Sequence, residues 1–228
     1  MESPLDLELS EAARGRTERW ALVAGVTGCT ANALLVALYA VALPGNDAYD
    51  WTGPANDVVG AVSTLSAIPM ALGVRDLLGR PGRLPGTTTA LIVGSGAMAA
   101  ASGLLVTHVI DLRVQVAVAV PFLMTTAAWM RSAGRWGRVT GRLPRRLSRA
   151  AEVLGVGALS GMAVTAAAAL LPWGSPAQLA VGGTGMALAA GAYLGLPVWQ
   201  IELSRQLARR PDARTTHGVV GRATVQAG

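Results

Sequence analysis

The sequence predicts an all-α membrane protein: a polytopic bundle of six transmembrane helices with both termini on the cytoplasmic side. Of its 228 residues, 52% are hydrophobic and only 14% are charged, whereas a soluble domain carries about 25% charged residues. Six apolar segments approach the ~20 residues that a helix needs to cross the hydrocarbon core. The arginines lie between these segments in a pattern that places nearly all of them on one side. The same composition argues against disorder, which requires high charge and low hydrophobicity.

The six apolar segments are predicted at approximately 20–43, 57–74, 88–110, 114–130, 151–171 and 178–201. The first is too long for the core of a signal peptide, and its apolar residues continue well beyond Cys29. We therefore expect an uncleaved helix rather than a secretory or lipoprotein signal. Pro69 and Pro121 lie inside the second and fourth segments and predict kinks there, because proline removes a backbone donor.

The arginines predict the orientation. Eighteen of the 19 lie before the first segment, after the second, after the fourth and after the sixth, and only Arg113 falls elsewhere. Cytoplasmic loops carry an excess of basic residues, so we expect a multi-pass protein of the cytoplasmic (inner) membrane with both termini inside. The chain has no lysine and is rich in alanine and glycine, which is typical of high-GC bacteria and is therefore actinobacterial-like.

The parts outside the membrane domain at 20–201 are short. Residues 1–19 are predicted to form a cytoplasmic amphipathic segment on the membrane, and residues 202–228 a partly disordered cytoplasmic tail. A basic cytoplasmic loop at 131–150 joins the fourth and fifth segments, and Gly141 and Pro144 should prevent a single straight helix there.

The basic loop predicts a contact with the anionic headgroups of membrane lipids at the cytoplasmic face. The arginines assigned to this contact are Arg135, Arg138, Arg142, Arg145 and Arg146. Docking of an acidic cytoplasmic partner is the alternative interpretation.

The tryptophans predict an aromatic belt at the two membrane interfaces. Trp20, Trp129 and Trp199 fall at cytoplasmic ends of the predicted helices, and Trp173 falls at an outer end. The net charge of +6 is thus interpreted as a topology signal, and no nucleic acid is expected as a partner.

Small residues recur every four positions in three of the helices, a pattern typical of close helix packing. The positions are Ser95, Ala99, Gly103 and Thr107; Gly157, Gly161, Thr165 and Ala169; and Gly183, Ala187, Gly191 and Gly195. Sliding or dimerising faces are the alternative, so a homo-oligomer or a partner subunit remains open.

A weak internal repeat relates the first three helices to the last three. Residues 93–103 and 181–191 match at six of eleven positions, and residues 57–60 resemble residues 152–155. Three helices in each unit would give a 3+3 inverted repeat, an architecture of many secondary transporters. Chance similarity is the alternative, because glycine and alanine dominate the longer pair of segments.

Few side chains that could carry chemistry lie within the predicted spans. No lysine is present for a Schiff base, His217 lies in the tail and cannot complete a haem pair, and a single cysteine excludes a Cys-rich metal site. No cofactor is expected. Ionisable groups in a membrane are the first candidates for function, and they cluster near one predicted outer face.

The outer-face candidates comprise an acid/base set and a substrate-binding set. Asp57, His108 and Asp111 are predicted to be catalytic because a carboxylate beside a histidine can exchange protons with a substrate. The predicted substrate-binding residues are Asn56, Asp50, Trp51 and Arg113. The alternative is structural, with Asp57 as a helix cap and a surface network around His108, Asp111 and Arg113. Asp and His could also ligate a divalent metal, but no metal is assigned.

Three functions follow from these features. The leading one is a transporter or permease-like subunit that binds or moves a small solute, because six spans and a repeat are combined with no soluble domain. The first alternative is a membrane-embedded enzyme acting on a lipid or isoprenoid through the outer Asp/His pocket. The second is a non-catalytic membrane scaffold or signalling partner.

Overall fold

The computed structural model describes residues 4–42 and 51–209, and that part of the chain is helical with no strand. The helices are α1 (Pro4–Ala37), α2 (Thr52–Leu77), α3 (Leu84–Val106), α4 (Leu112–Thr140), α5 (Arg145–Ala168) and α6 (Pro176–Ala208). A π-helical turn, Leu38–Ala42, extends α1. All six helices are long and apolar enough to cross a membrane, so the prediction of a six-helix all-α membrane protein is confirmed.

The helices run beyond the apolar segments that predicted them. α1 is continuous from Pro4, so the amino-terminal segment in the described residues is part of the first helix rather than a separate surface helix. The basic loop is likewise mostly helical: α4 ends at Thr140 and α5 begins at Arg145. Hydropathy marks where the lipid ends, but alanine, glutamate and arginine continue the helical hydrogen bonding into water.

The break between α4 and α5 lies where Gly141 and Pro144 predict it. Gly141 ends α4 in the left-handed conformation with φ of 67°, which glycine adopts without steric cost. Pro144 directly precedes the first residue of α5. The predicted kink sites Pro69 and Pro121 lie inside α2 and α4, which continue through them.

The six helices form a closed ring in chain order. Each helix packs against the next, and α6 packs against α1. α5 lies especially close to both neighbours: a Cβ atom added at Gly155 would lie 2.6 Å from the carbonyl oxygen of Ala127, and one added at Gly161 would lie 2.6 Å from the backbone nitrogen of Ala189. These glycines let the helix backbones meet. Gly161 belongs to the predicted small-residue pattern of α5, whereas Gly155 does not.

The small-residue face of α6 differs from the predicted one. Gly185 is buried and lies against the backbone of Gly161, whereas Gly183, Ala187 and Gly191 are exposed. In a helix this rich in glycine and alanine, more than one line of small residues is spaced by four, so spacing alone does not identify the contact face.

Arginines gather at one end of the ring, which we call the arginine end. Arg14 of α1 donates to the carbonyl oxygen of Leu207 in α6 at 2.8 Å, and Arg142 donates to the carbonyl oxygen of Leu77 at 3.0 Å. Asp76 pairs with three arginines, Arg16, Arg75 and Arg80. The start of α1, the end of α6 and the connections after α2 and α4 therefore share one end, and we call the opposite end the far end.

The best-packed core lies toward the arginine end. Its members include Met70, Val74, Leu78, Leu84, Trp129, Met130, Trp199 and Leu203. Two of them correct the aromatic-belt prediction, because Trp129 and Trp199 are 1% and 3% exposed and do not face lipid headgroups. Trp20 and Trp173 are exposed, as the belt requires. Trp129 and Trp199 pack edge to face, with ring centroids 6.2 Å apart.

Candidate functional site

Asp57 is the centre of a polar network between three helices. α2 begins at Thr52, so Asp57 lies inside the helix, and its predicted alternative role as a helix cap is wrong. Its Oδ1 atom accepts a hydrogen bond of 2.9 Å from Nε2 of Gln115 in α4. The same nitrogen lies 3.3 Å from Oγ of Ser102 in α3. One buried amide thus links α2, α3 and α4.

Gln115 is a functional candidate that the sequence analysis missed. It is buried, and it stands in a run that is otherwise Val114, Val116, Ala117 and Val118. An uncharged polar side chain within a spanning helix is costly unless it finds a partner. A lone amide in an apolar run was the signal available, although the run alone does not identify its partner.

A cavity of about 110 Å³, which we call the central cavity, lies inside the ring. Residues from every helix except α5 line it. Along α2 the lining extends from Asn56 to Met70, which is about 21 Å at 1.5 Å per residue. The cavity therefore extends along much of a hydrocarbon core of about 30 Å.

The central cavity is lined by many polar side chains. They are Asn32, Asn56, Asp57, Ser63, Thr64, Ser102, Thr126, Tyr193 and Gln200. Some hydroxyls are already used: Thr64 and Thr126 donate to carbonyl oxygens one turn earlier in their own helices, and Ser63 donates across to the carbonyl oxygen of Ala24 in α1 at 2.9 Å.

Other polar groups in the lining remain available to a ligand. Within residues 4–42 and 51–209, the side-chain amides of Asn32, Asn56 and Gln200 make no hydrogen bond, and neither does the buried Nε1–H of Trp129. Buried polar groups normally find a partner. The cavity thus presents several unused hydrogen-bonding groups to whatever occupies it.

Exposure changes along the cavity. Met70, Trp129 and Gln200, toward the arginine end, are at most 3% exposed. Asn56 and Asp57, toward the far end, are only half-buried. The core therefore closes the cavity toward the arginine end, and its more accessible side chains lie toward the far end.

Among the described residues, the other outer-face candidates take no part in this hydrogen-bond network. His108 is exposed in the turn after α3, with a left-handed φ of 58°, and Asp111 caps α4 by accepting from the backbone nitrogen of Val114 at 3.0 Å. Trp51 and Arg113 are exposed. In the part of the chain that the structure describes, no hydrogen bond or ion pair joins Asp57 to His108, Asp111 or Arg113.

The structure therefore brings together Asn56 and Asp57 of the predicted set. Asp50 lies outside the described residues. The catalytic role of Asp57, His108 and Asp111 remains a prediction, as does substrate binding by Trp51 and Arg113. Among residues 4–42 and 51–209, no group of three His, Cys, Asp or Glu side chains is placed to hold a metal ion.

A second cavity, which we call the lateral cavity, lies beside the central one. It has a volume of about 480 Å³ and is lined by α4, α5 and α6. Its lining is almost entirely apolar, with Leu123, Leu154, Met162 and Met186 among the larger side chains. Three residues line both cavities, Thr126, Tyr193 and Leu196. The two cavities are thus neighbours that differ in polarity.

The arginines assigned to lipid binding are all exposed. Two of them have protein partners: Arg138 pairs with Glu152 at 3.1 Å, and Arg142 binds the end of α2. Arg135, Arg145 and Arg146 make no ion pair with the described residues. Their contact with lipid headgroups remains a prediction.

No protein-family model matches the chain, and no curated protein or solved structure shows significant similarity to it.

Proposed function

We propose that this protein is a transporter or permease-like subunit that binds a small solute in its central cavity. The observation that carries the proposal is the cavity itself, which extends along the axis of a six-helix ring and contains one carboxylate among unused amides. Ionisable side chains inside a membrane domain commonly mark substrate or ion pathways. The predicted transport function therefore acquires a specific binding site at Asp57.

The orientation proposed from the arginines gives the cavity a direction. With the arginine end in the cytoplasm, the half-buried Asn56 and Asp57 lie in the outer half of the membrane. The packed core around Met70 and Trp129 then separates the cavity from the cytoplasm. Such an arrangement fits a site that receives solute from the outer side while its inner side is closed.

The site supports binding better than acid/base catalysis. Asp57 contacts the neutral amide of Gln115, and no histidine, lysine or arginine lines the central cavity within the described residues. General acid/base chemistry needs a proton acceptor and a proton donor in reach of one substrate. A lipid-acting enzyme or a scaffold remains the alternative function.

Uptake into proteoliposomes tests the proposal. The purified chain would be reconstituted and supplied with a panel of radiolabelled solutes: glucose, glutamate, choline and tetraphenylphosphonium. We expect at least one solute to accumulate above the level of protein-free liposomes. Asp57→Asn should reduce that uptake about tenfold or more, because the cavity loses the one charged side chain that lines it among the described residues.

The matched control is Glu202→Gln, which removes a carboxylate of α6 that accepts from Gln206 and lines neither cavity. This variant should keep wild-type uptake. Absence of wild-type uptake for the whole panel, or full uptake by Asp57→Asn, would contradict a transport function centred on this site.

A further inference from the structure

We infer that the solute is a hydrophobic organic cation, meaning an amine or quaternary ammonium compound with an apolar body. The inference rests on the proposed function and names the substrate class of the same site. The charged centre lies beside Asp57, toward the far end of the central cavity. The apolar body occupies the lateral cavity.

The charge of the cavity lining determines which sign of charge the ligand carries. Asp57 is the only charged side chain that lines the central cavity among the described residues, and its one hydrogen-bond donor there is the neutral Gln115. A half-buried carboxylate without a countercharge favours a cation over an anion. A phosphate, sulfate or carboxylate ligand would instead add a second negative charge with no basic side chain to neutralise it.

The aromatic residues of the lining point to the same ligand. The chain has one Phe, three Tyr and six Trp, yet Phe122, Trp129 and Tyr193 all line this cavity. Phe122 and Trp129 are seven residues apart and so share one face of α4. Phe122 lies about 10 Å along α4 from Gln115, and Trp129 about 21 Å, so the rings follow Asp57 along the cavity. Aromatic side chains there offer apolar contact area to the body of an organic cation whose charge lies at Asp57.

The lateral cavity provides space for an apolar body. Its volume of about 480 Å³ lies within the range of about 300–1,000 Å³ that is typical of small-molecule sites. It arises because α4 and α5 meet closely near the arginine end, at Gly134 and Gly155. Toward the far end, Leu123 of α4 and Met162 of α5 line the space between the two helices.

The two cavities together match an amphipathic molecule. Tyr193 and Thr126 line both of them, so the two cavities adjoin there. Thr126 lies eleven residues along α4 from Gln115, about 16 Å at 1.5 Å per residue, so an elongated ligand is needed to reach from Asp57 into the apolar space. Val120 and Met186 of the lateral lining are exposed, so this cavity opens on the surface of the bundle. In a membrane, that surface faces lipid, from which a hydrophobic cation can enter.

Binding of decyltrimethylammonium to the full chain in lipid nanodiscs tests the inference, with empty nanodiscs measuring simple partition. Two companion probes separate the contributions: decyl sulfate has the same tail with a negative head, and tetramethylammonium has the head without the tail. We expect decyltrimethylammonium to bind above the empty-disc level and tighter than tetramethylammonium. Decyl sulfate should show no specific binding.

The variants assign the two ends of the ligand. Asp57→Asn, which keeps an oxygen for Gln115, should weaken binding of decyltrimethylammonium about tenfold or more. Tyr193→Leu should weaken it about threefold to tenfold, because the apolar body loses its contact with the ring, whereas Tyr193→Phe, which keeps the ring, should stay near wild type. Met162→Trp fills the lateral cavity and should reduce the affinity for decyltrimethylammonium while leaving that for tetramethylammonium unchanged.

Three results would overturn the inference: decyl sulfate binding as tightly as the cation, wild-type affinity in Asp57→Asn, or equal loss in Tyr193→Leu and Tyr193→Phe. A monodisperse elution profile of each variant shows that a loss is not misfolding. Cation binding without any uptake into proteoliposomes would remove the transport function and leave the cation site in place. Uptake of other solutes without cation binding would remove the cation site and leave the transport function in place.

Discussion

At the scale of single residues, the hydrogen bond between Gln115 and Asp57 organises the centre of the bundle. It joins residues 58 positions apart in the chain, and so it links α4 to α2 across the inside of the ring. Asp57 is identifiable from the sequence because a carboxylate in an apolar segment stands out. Its partner Gln115 is not identifiable in the same way, because the pairing depends on how the helices pack and the sequence indicates it only weakly.

Replacing Gln115 by Leu should therefore weaken both the fold and the site. The change removes the hydrogen-bond donor to Asp57. A hydrogen bond between helices of a membrane protein contributes about 1 kcal/mol to the free energy of unfolding, so we expect a loss of that size. Thermal unfolding in detergent, followed by size-exclusion chromatography, would measure the loss. Gln206→Leu is the control. Within the part of the chain that the structure describes, that amide bonds only to Glu202 in its own helix, and its loss should change stability less. Equal stability of wild type and Gln115→Leu would show that the bond contributes nothing.

Trp129 and Gln200 show a second limit of prediction at the residue scale. Interfacial tryptophans and core tryptophans have the same sequence signature near a helix end, and only packing separates them. Trp129 turns inward because it shares with Phe122 and Thr126 the face of α4 that lines the central cavity. Gln200 on α6 also lines the central cavity. α6 is apolar on most of its surface, so no amphipathic pattern in the sequence distinguishes its inner face.

At the scale of helices, apolar length predicted the number and order of the elements, since each span must match the hydrocarbon thickness. It did not predict their ends, because α1, α4 and α6 continue past the lipid through residues that favour helix in water. The connections between α4 and α5 and between α2 and α3 are therefore shorter than predicted. Their ends are stabilised by Arg142 on the carbonyl of Leu77 and by the ion pairs of Asp76.

The glycines of α5 and α6 give a prediction about helix packing. A Cβ atom at Gly161 would lie 2.7 Å from the carbonyl oxygen of Gly185, so Gly161→Ala should force α5 and α6 apart and destabilise the fold by about 1–3 kcal/mol. Gly191→Ala has open space around its Cβ position and should be neutral or stabilising by up to about 1 kcal/mol. Melting temperatures of the two variants in the same detergent would compare them. A greater loss of stability in Gly191→Ala would favour the predicted contact face of α6, which contains Gly191, over the observed one, which contains Gly185.

At the scale of the whole molecule, the 3+3 inverted repeat remains a prediction that burial does not support. The alignment pairs Ser95 with Gly183 and Ser102 with Ala190. Both serines are buried, whereas Gly183 and Ala190 are exposed. Equivalent positions of a repeat are expected to share an environment. The resemblance is explained as well by the abundance of glycine and alanine on two helices that both need small residues.

The orientation and the closed inner side of the cavity make a joint prediction about accessibility. In a Cys29→Ala background, single cysteines would be introduced at Asn56, at the more exposed end of the cavity, and at Gln200, near its closed end. A membrane-impermeant maleimide applied to intact cells should label Asn56→Cys and leave Gln200→Cys unlabelled, because Gln200 is 3% exposed behind the core.

Two exposed positions calibrate the labelling. Trp173 precedes α6 at the far end, and Arg149 lies in the first turns of α5 near the arginine end. With the arginine end in the cytoplasm, Trp173→Cys should react in intact cells and Arg149→Cys only in inside-out vesicles. The reverse pattern would overturn the orientation while leaving the fold intact. Equal labelling of Asn56→Cys and Gln200→Cys in intact cells would instead show that the packed core does not close the cavity. A solute from outside could then pass Trp129 without any change in the packing of the helices.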